Sequence, residues 1–138
     1  MECPRCHVEL QVEDYKGIEV DRCPACQGMW LDYHELDELE DTAMSDDAIK
    51  GMMIYRSHAG DIACPRCGET MEVFNYRGYN VQIDLCPQEH GFWLDAGEEQ
   101  RVLELMQQRI RDLQRSAAAE AEWGAFLQGL KAKLFRRR

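Results

Sequence analysis

The chain has 138 residues, of which 45% are hydrophobic and 30% are charged, so it can form one ordinary domain or two small ones. No run of 18 or more apolar residues occurs, and the start of the chain lacks the charged-then-apolar pattern of a secretion signal. The composition therefore argues against a membrane-spanning or exported protein, and we expect a cytoplasmic one.

The formal net charge of −10 is unevenly distributed along the chain. Residues 1–61 carry 5 Lys+Arg against 15 Asp+Glu, whereas residues 62–138 carry 11 of each. Proteins that bind nucleic acid mainly through its phosphates need clustered positive charge. Most of this chain lacks such a cluster, which disfavours nucleic acid as its main partner.

Seven cysteines are many for a chain of this length. Clustered cysteine pairs in a cytosolic protein are typical of metal ligands, because the two intervening residues form a tight turn that lets both thiolates face one ion. Cys86 lacks a cysteine partner at this spacing. The C-x-x-C pairs are Cys3/Cys6, Cys23/Cys26 and Cys64/Cys67.

The sequence contains an internal repeat of about sixty residues. "CPRCHVELQVEDYKGIEVDRCPACQGMWLDYHEL" begins at Cys3, and "CPRCGETMEVFNYRGYNVQIDLCPQEHGFWLDAGEE" begins at Cys64 with Gln82 and Ile83 as two extra residues. Apolar residues alternate around the glycine turns "DYKG" and "NYRG", which predicts a β-hairpin in each copy. "MWLD" and "FWLD" predict a short third strand.

Each third strand is followed by the start of a helix. Asp32 with Glu35, and Asp95 with Glu98, resemble capping boxes in which the aspartate is the N-cap. Two cysteine knuckles, a hairpin, a short strand and a helix start together predict a zinc ribbon. A unit of about 40 residues needs such a metal, since a structural zinc ion supplies roughly 10 kcal/mol of folding free energy.

The fourth ligand of the second copy is not a cysteine. Glu89 stands where the first copy has Cys26, and His90 follows it. Cys86 and His90 have a C-x-x-x-H spacing that zinc sites use, whereas Glu89 is the weaker candidate because structural zinc sites mostly use cysteine and histidine. The alternative is a degenerate second site with His90 on the surface. We predict two zinc ions per chain, one on Cys3, Cys6, Cys23 and Cys26, the other on Cys64, Cys67, Cys86 and His90.

Other residues near the knuckles have less specific roles. We expect His7, His34 and His58 at the surface, because four thiolates already complete the first site. Trp30 and Trp93 are expected in the core rather than as platforms for nucleic-acid bases. Gly28 and Gly91 are expected to provide a positive φ at the knuckle exits.

The predicted organisation has four parts. Residues 1–41 form zinc ribbon 1 with a short helix, and 62–98 form zinc ribbon 2. Residues 42–61 form a linker in which "AIKGMMIYRSH" is expected to be a short helix. The acidic residues of 32–47 are expected on a solvated helix face and loop, with a docking surface for a basic partner as the alternative.

Residues 99–138 form the fourth part, a C-terminal helical arm with a basic tail. A heptad-like stripe there either packs on the ribbons or pairs with a second protomer as a homodimer. The stripe consists of Leu103, Met106, Ile110, Leu113 and Ala117.

The last segment, "EAEWGAFLQGLKAKLFRRR", combines an apolar helical face with positive charge. Such a helix docks on an acidic protein partner or an anionic membrane surface, or packs against its own ribbons. The apolar residues are Trp123, Phe126, Leu127, Leu130 and Leu134, and the basic ones are Lys131, Lys133, Arg136, Arg137 and Arg138.

The pattern C-P-x-C, hairpin, C-P-x-C-x-G-x-W-L-D and acidic helix start resembles the zinc-ribbon family named after the zinc-binding domain of transcription factor IIB. This resemblance covers two tandem copies and implies a fold and a metal, and the family is widespread in small prokaryotic proteins. The second copy departs from the pattern at its fourth ligand. We expect a small, metal-stabilised α+β fold of two zinc ribbons, a helical linker and a C-terminal helical arm.

The resemblance says little about biochemical role. Both predicted sites are filled by four protein ligands, and no catalytic motif is visible elsewhere, so we expect no enzyme activity. The favoured function is a binding or adaptor module for a protein partner. The alternatives are a nucleic-acid-binding zinc ribbon that uses the basic tail, and a rubredoxin-like iron electron carrier, since thiolate sites can also hold iron.

Overall fold

The computed structural model describes residues 1–43 and 54–136, and for residues 55, 135 and 136 it describes the backbone only. The chain divides into two compact units, Met1–Met106 and Gln107–Arg138. In the described part of the chain, no helix combines the length and apolar character that crossing a bilayer requires.

The first unit is built on a seven-stranded antiparallel sheet with the order β1-β2-β3-β7-β6-β5-β4. Two helices accompany it within residues 1–43 and 54–136. The strands are β1 (Gln11–Tyr15), β2 (Ile18–Arg22), β3 (Met29–Asp32), β4 (Ile54–Ala63), β5 (Thr70–Tyr76), β6 (Gln82–Leu85) and β7 (Gly91–Leu94), and the helices are α1 (Glu35–Asp41) and α2 (Glu98–Arg136).

The two predicted hairpins and short third strands are confirmed. β1 and β2 are joined by a turn in which Lys16 and Gly17 have φ values of 53° and 84°. In the second copy, Arg77 and Gly78 follow β5 with φ values of 48° and 81°. Two successive positive φ values are the signature of a type I′ turn, whose twist matches that of the flanking strands.

The two ribbons are joined edge to edge through their third strands. β3 and β7 run antiparallel, with Trp30 opposite Trp93 and Leu31 opposite Phe92. The order of strands is therefore the same on each side of this pair, and β4 is the one strand without a counterpart among the described residues. The repeat produces a single continuous sheet with approximate two-fold symmetry.

The role expected for the two knuckle glycines was wrong. Gly28 and Gly91 are absent from the residues with positive φ, which include Gln27 and Glu89 instead. Each glycine lies under the tryptophan of the other ribbon. A Cβ on Gly28 would fall 2.9 Å from Trp93 Cε2, and one on Gly91 would fall 2.6 Å from Trp30 Cζ2. Glycine is required at these positions so that the two indole rings can approach the opposite backbone.

The core of the first unit lies against the sheet, with α1 and the first turns of α2 contributing to it. Trp30 and Trp93 have no exposed surface, which agrees with the expected core role. The apolar residues of the helices that are buried in this core are Leu36, Leu39, Val102, Leu103, Leu105 and Met106.

Part of the expected linker helix is wrong. Ile54–Ala63 form strand β4, which pairs with β5 and covers an edge that would otherwise be open. Ile62 is buried with the tryptophans, and Ile54 packs against the main core. The first part of the expected helix, residues 48–53, lies outside the described residues.

The capping box forms only in part. Helix α1 begins after His34, which makes no side-chain cap, whereas the Glu35 carboxylate accepts the backbone N–H of Asp32 at 2.7 Å. The carboxylate of Asp32 instead accepts a hydrogen bond from the indole of Trp30. Asp32 is therefore not the N-cap, because its side chain is used to bind the tryptophan.

The acidic segment after Asp32 is not entirely solvated as expected. Glu40 is fully buried and accepts two hydrogen bonds from Arg77, at 2.6 and 2.9 Å, and one from the Tyr76 hydroxyl. A buried carboxylate is tolerated when it is paired and hydrogen-bonded. This contact attaches α1 to the hairpin turn of the second ribbon.

Helix α2 begins in the first unit and includes residues of the second. Leu103 and Met106 of the predicted stripe are buried, whereas Leu113 is 40% exposed and Ala117 is exposed. The residues of the stripe are therefore buried before residue 107, where the second unit begins, and become half-buried or exposed after it.

We predict that Gly28→Ala lowers the free energy of unfolding of the zinc-loaded protein by about 1–3 kcal/mol, because the added methyl group would collide with the Trp93 ring. Gly129→Ala is the matched control. A Cβ on Gly129 would have no described atom within 4 Å outside its own helix backbone and chain neighbours. Alanine in a helix is favoured by up to ~1 kcal/mol, so this variant should be as stable as the wild type or more so. Denaturant unfolding measures both; equal stabilities of the two variants would contradict the packing described.

Candidate metal centres

The four cysteines of the first ribbon come together at one end of the hairpin. Their sulfur atoms all lie within 4.8 Å of one another, and Cys3 Sγ is 3.8 Å from Cys26 Sγ. A tetrahedral zinc ion with Zn–S bonds of about 2.3 Å separates its sulfur ligands by about 3.8 Å. This group therefore fits one zinc ion with four thiolate ligands.

The backbone of each knuckle turns around its first cysteine. Cys3 Sγ accepts the N–H groups of Arg5 and Cys6 at 3.4 and 3.3 Å, and Cys64 Sγ accepts that of Arg66 at 3.4 Å. In the second knuckle of ribbon 1, Cys23 Sγ accepts the N–H of Cys26 at 3.4 Å. Such N–H groups stabilise a thiolate, which is the form that binds a metal.

The second ribbon brings together Cys64, Cys67, Cys86 and His90, whose candidate ligand atoms also lie within 4.8 Å of one another. Cys67 Sγ is 3.6 Å from Cys86 Sγ, and His90 Nδ1 is 3.4 Å from Cys86 Sγ. Ideal Zn–S and Zn–N bonds give a sulfur-to-nitrogen separation of about 3.6 Å in a tetrahedron. This arrangement fits a zinc ion with three thiolates and one imidazole.

A tighter turn explains how His90 reaches this position. In the other three knuckles the fifth residue, counted from the first cysteine, has positive φ and donates its N–H to that cysteine's carbonyl; these residues are His7, Gln27 and Gly68. In the last knuckle, the residue that does both is the fourth, Glu89, with φ of 59°. The turn of the last knuckle therefore closes one residue earlier than the others. Its fourth candidate ligand is the residue after the turn, His90, whose imidazole is longer than a cysteine side chain and reaches the three thiols from there.

The electrostatics of the thiols also favour a cation. Burial raises the pKa of the Cys64 thiol to about 11, and its hydrogen bonds with Cys86 and Cys67 act in the same direction. Hydrogen bonding to Cys26 is the main cause that raises the pKa of Cys6 to about 12. Thiols packed this closely cannot all ionise near neutral pH unless a metal ion compensates the accumulated negative charge.

The two sites share one buried tryptophan pair. Trp30 and Trp93 belong to the same core cluster as the first cysteine of each knuckle: Cys3, Cys23, Cys64 and Cys86. The indole of Trp30 donates to Asp32 at 3.1 Å, and that of Trp93 donates to Asp95 at 3.0 Å. Packing of the tryptophans therefore links the two metal centres.

Two arginines that sequence reasoning missed extend this link between ribbons. Arg5, within the first knuckle of ribbon 1, donates two hydrogen bonds to Asp95 of ribbon 2, at 2.5 and 2.9 Å. In the opposite direction, Arg66 donates to Asp32 at 3.3 Å. The available signal was the identical "CPRC" in both copies, since a repeated arginine between two ligands has no role in binding the metal.

The remaining histidines lie outside both groups. His7, His34 and His58 are exposed, in agreement with the surface position expected for them. The structure thus brings the eight sequence-predicted ligands into two groups of four, and the assignment of each residue as a metal ligand stays a prediction.

Two acidic residues, one in the second ribbon and one at the start of α2, have side-chain pKa values well above their ordinary values. Burial raises the pKa of Asp84 to about 6 and that of Glu98 to about 8, and in both cases Asp95 adds to the effect. Glu98 accepts the backbone N–H of Asp95 at 2.8 Å, which opposes the shift only in part. Asp84 was not singled out from the sequence. The available signal was the pattern D-x-C-P, which occurs in both copies.

We predict that His90→Ala loses about one equivalent of zinc per chain, measured by elemental analysis of the purified protein, because the second group would keep only three ligands. His7→Ala and His34→Ala are matched controls and should retain two equivalents. Retention of two equivalents by His90→Ala would show that another residue or water replaces the imidazole.

Glu98 should make stability fall as pH rises. Its pKa of about 8 in the folded state lies above the ordinary value of 4.5, so between these values the folded chain holds a proton that the unfolded chain has released. Glu98→Gln removes this contribution while keeping a hydrogen-bond acceptor. From pH 6 to pH 8, the zinc-loaded variant should therefore gain stability relative to the wild type in denaturant unfolding; a constant difference would be the contrary result.

Comparison with known proteins agrees with this geometry. The family model described as a transcription factor zinc-finger matches residues 2–42 and 63–105, together more than half of the chain. No curated protein and no solved structure matches the chain in the same comparison. The two matched segments contain the two groups of four ligands, each of which could hold one zinc ion. The chain belongs to the transcription factor zinc-finger family and contains two tandem zinc ribbons.

Proposed function

We propose that the protein is a non-enzymatic binding module in which the paired zinc ribbons form a stable base and the C-terminal helix docks on a protein partner. Each group offers four candidate protein ligands, and a zinc ion bound by all four would have no open coordination position for a catalytic water. This filled coordination supports a structural rather than a catalytic role for the metals.

The observation that carries this proposal is the exposed apolar face of α2 in the second unit. Trp123 is 61% exposed, Phe126 54% and Leu134 66%. The rings of Trp123 and Phe126 stack with their centroids 5.4 Å apart. Large apolar side chains repeated at helical spacing are the anchors by which a helix binds in the groove of another protein.

Charge next to this face indicates the kind of groove. Lys131 and Lys133 are exposed within the same segment. An apolar groove with an acidic rim would bind both the aromatic anchors and the ammonium groups. We therefore favour an acidic protein partner.

The test compares full-length, zinc-loaded variants. Trp123→Ser with Phe126→Ser removes the two stacked anchors, whereas Gln128→Ser changes an exposed residue about 140° away around the helix from Trp123. We expect proteins retained from native cell extract by the wild type to be retained by Gln128→Ser and lost from the double variant. Zinc content and melting temperature should be the same in all three proteins.

Retention of the same proteins by the double variant, or of none by the wild type, would contradict protein docking through this face. The competing function is nucleic-acid binding through the basic tail. It predicts affinity for DNA or RNA that falls steeply with added salt, because each phosphate contact releases counterions. Insensitivity of that binding to Trp123→Ser with Phe126→Ser would separate it from helix docking.

A further inference from the structure

A pocket of about 410 Å³ lies beside the second ribbon, within the first unit. Its volume falls in the range of about 300–1,000 Å³ that small-molecule sites occupy. Strands β4 and β6 and the start of α2 contribute to its wall. The charged and titratable residues that line it are Arg5, His58, Asp61, Asp84, Asp95 and Glu98.

The carboxylate of Asp84, which lines this pocket, has an oxygen that lacks a hydrogen-bond donor. Asp84 is only 5% exposed, and its Oδ1 is the one buried side-chain oxygen or nitrogen without a hydrogen-bond partner in the described parts of the chain. A buried polar atom left unpaired is costly, so such atoms are normally satisfied. A Cβ on Gly60 would lie 3.3 Å from this oxygen, so the oxygen lies close to the backbone of Gly60, and both residues line the pocket.

The balance of charge in the pocket is negative. Arg5, its one arginine, donates both of its short hydrogen bonds to Asp95. Asp61 and Asp84 remain as carboxylates, whereas Glu98 keeps its proton near neutral pH because its pKa is raised to about 8. Among the described lining residues, His58 is the other group that can carry positive charge. A concave site lined by charges of one sign concentrates its field and attracts an oppositely charged ligand.

The arrangement does not fit a small metal ion. Among the described residues, the groups of three or more candidate ligands whose atoms all lie within 4.8 Å of one another are the two zinc sites, so no three acidic or histidine side chains of the pocket converge that closely. A guanidinium or ammonium group reaches separated acceptors because it carries several N–H donors. We propose that the pocket binds an organic cation, a guanidinium or primary ammonium group, which Asp84 and Asp61 receive with their negative charge and Glu98 with a neutral carbonyl oxygen.

The repeat provides an internal control for this site. Asp21 lies opposite Trp30 in the sheet, as Asp84 lies opposite Trp93. β4 pairs with β5 of the second ribbon, so the strand that supplies His58, Gly60 and Asp61 borders one site only. Asp21 therefore has the same place in the fold without this wall.

The experiment follows the indole N–H resonances of full-length, zinc-loaded protein by NMR at constant ionic strength. Trp93 reports on the pocket because it donates to Asp95, whereas Trp30 reports on the equivalent place in the first ribbon. The probes are agmatine, putrescine, a capped Gly-Arg-Gly peptide and magnesium chloride. We expect agmatine to shift the Trp93 resonance saturably and to leave that of Trp30 nearly unchanged.

Asp84→Asn should weaken agmatine binding roughly tenfold or more, because it removes a buried charged acceptor. Asp61→Asn should also weaken it, and because Asp61 is exposed we expect this variant to fold as the wild type does, whereas Asp21→Asn should not weaken binding. Tighter binding of the peptide than of agmatine would identify the ligand as an arginine side chain, and the reverse a free small-molecule cation. Comparison of agmatine with putrescine then distinguishes a guanidinium from an ammonium group. The proposal is overturned if no organic cation binds, if Asp84→Asn and Asp61→Asn bind as the wild type does, or if magnesium alone binds.

Discussion

The antiparallel pairing of β3 with β7 is the contact on which the rest of this protein depends. Each ribbon alone has little core, and a metal holds its hairpin closed. The β3–β7 pair converts two such units into one sheet, and it places Trp30 and Trp93 side by side in the interior. Both metal sites then border the same buried tryptophans, so the two ribbons share their hydrophobic core.

The pairing is held by contacts that occur twice. The tryptophan of one ribbon packs over the knuckle glycine of the other, and the knuckle arginine reaches the aspartate that accepts the indole N–H. The G-x-W-L-D motif and the arginine of C-P-R-C therefore serve the contact between ribbons as much as the ribbon itself. Duplication of one ribbon provided both halves of this interface at once.

Departures from symmetry are where the two ribbons differ in chemistry. In the last knuckle, the turn at Glu89 closes one residue early and His90 replaces a cysteine. Beside the second ribbon, β4 adds a wall that encloses Asp84. In the second unit, the Trp123 and Phe126 side chains of α2 are exposed. We base the proposed functions on the pocket and on the exposed part of α2, which have no counterpart among the described residues of the first ribbon. The contacts that occur twice hold the two ribbons together.

The sequence by itself determined the ribbons, their hairpins and the two groups of ligands, because cysteine spacing and period-two alternation are local properties of the chain. The structure alone decided what depends on residues distant in the chain: the β3–β7 pairing, the packing of Gly28 under Trp93, and the Arg5–Asp95 ion pair. The same distinction explains the errors. Asp32 has the local pattern of an N-cap, but Trp30 and Arg66 compete for its carboxylate. Ile54–Ala63 form a strand since β5 offers an open edge, which no local pattern reveals.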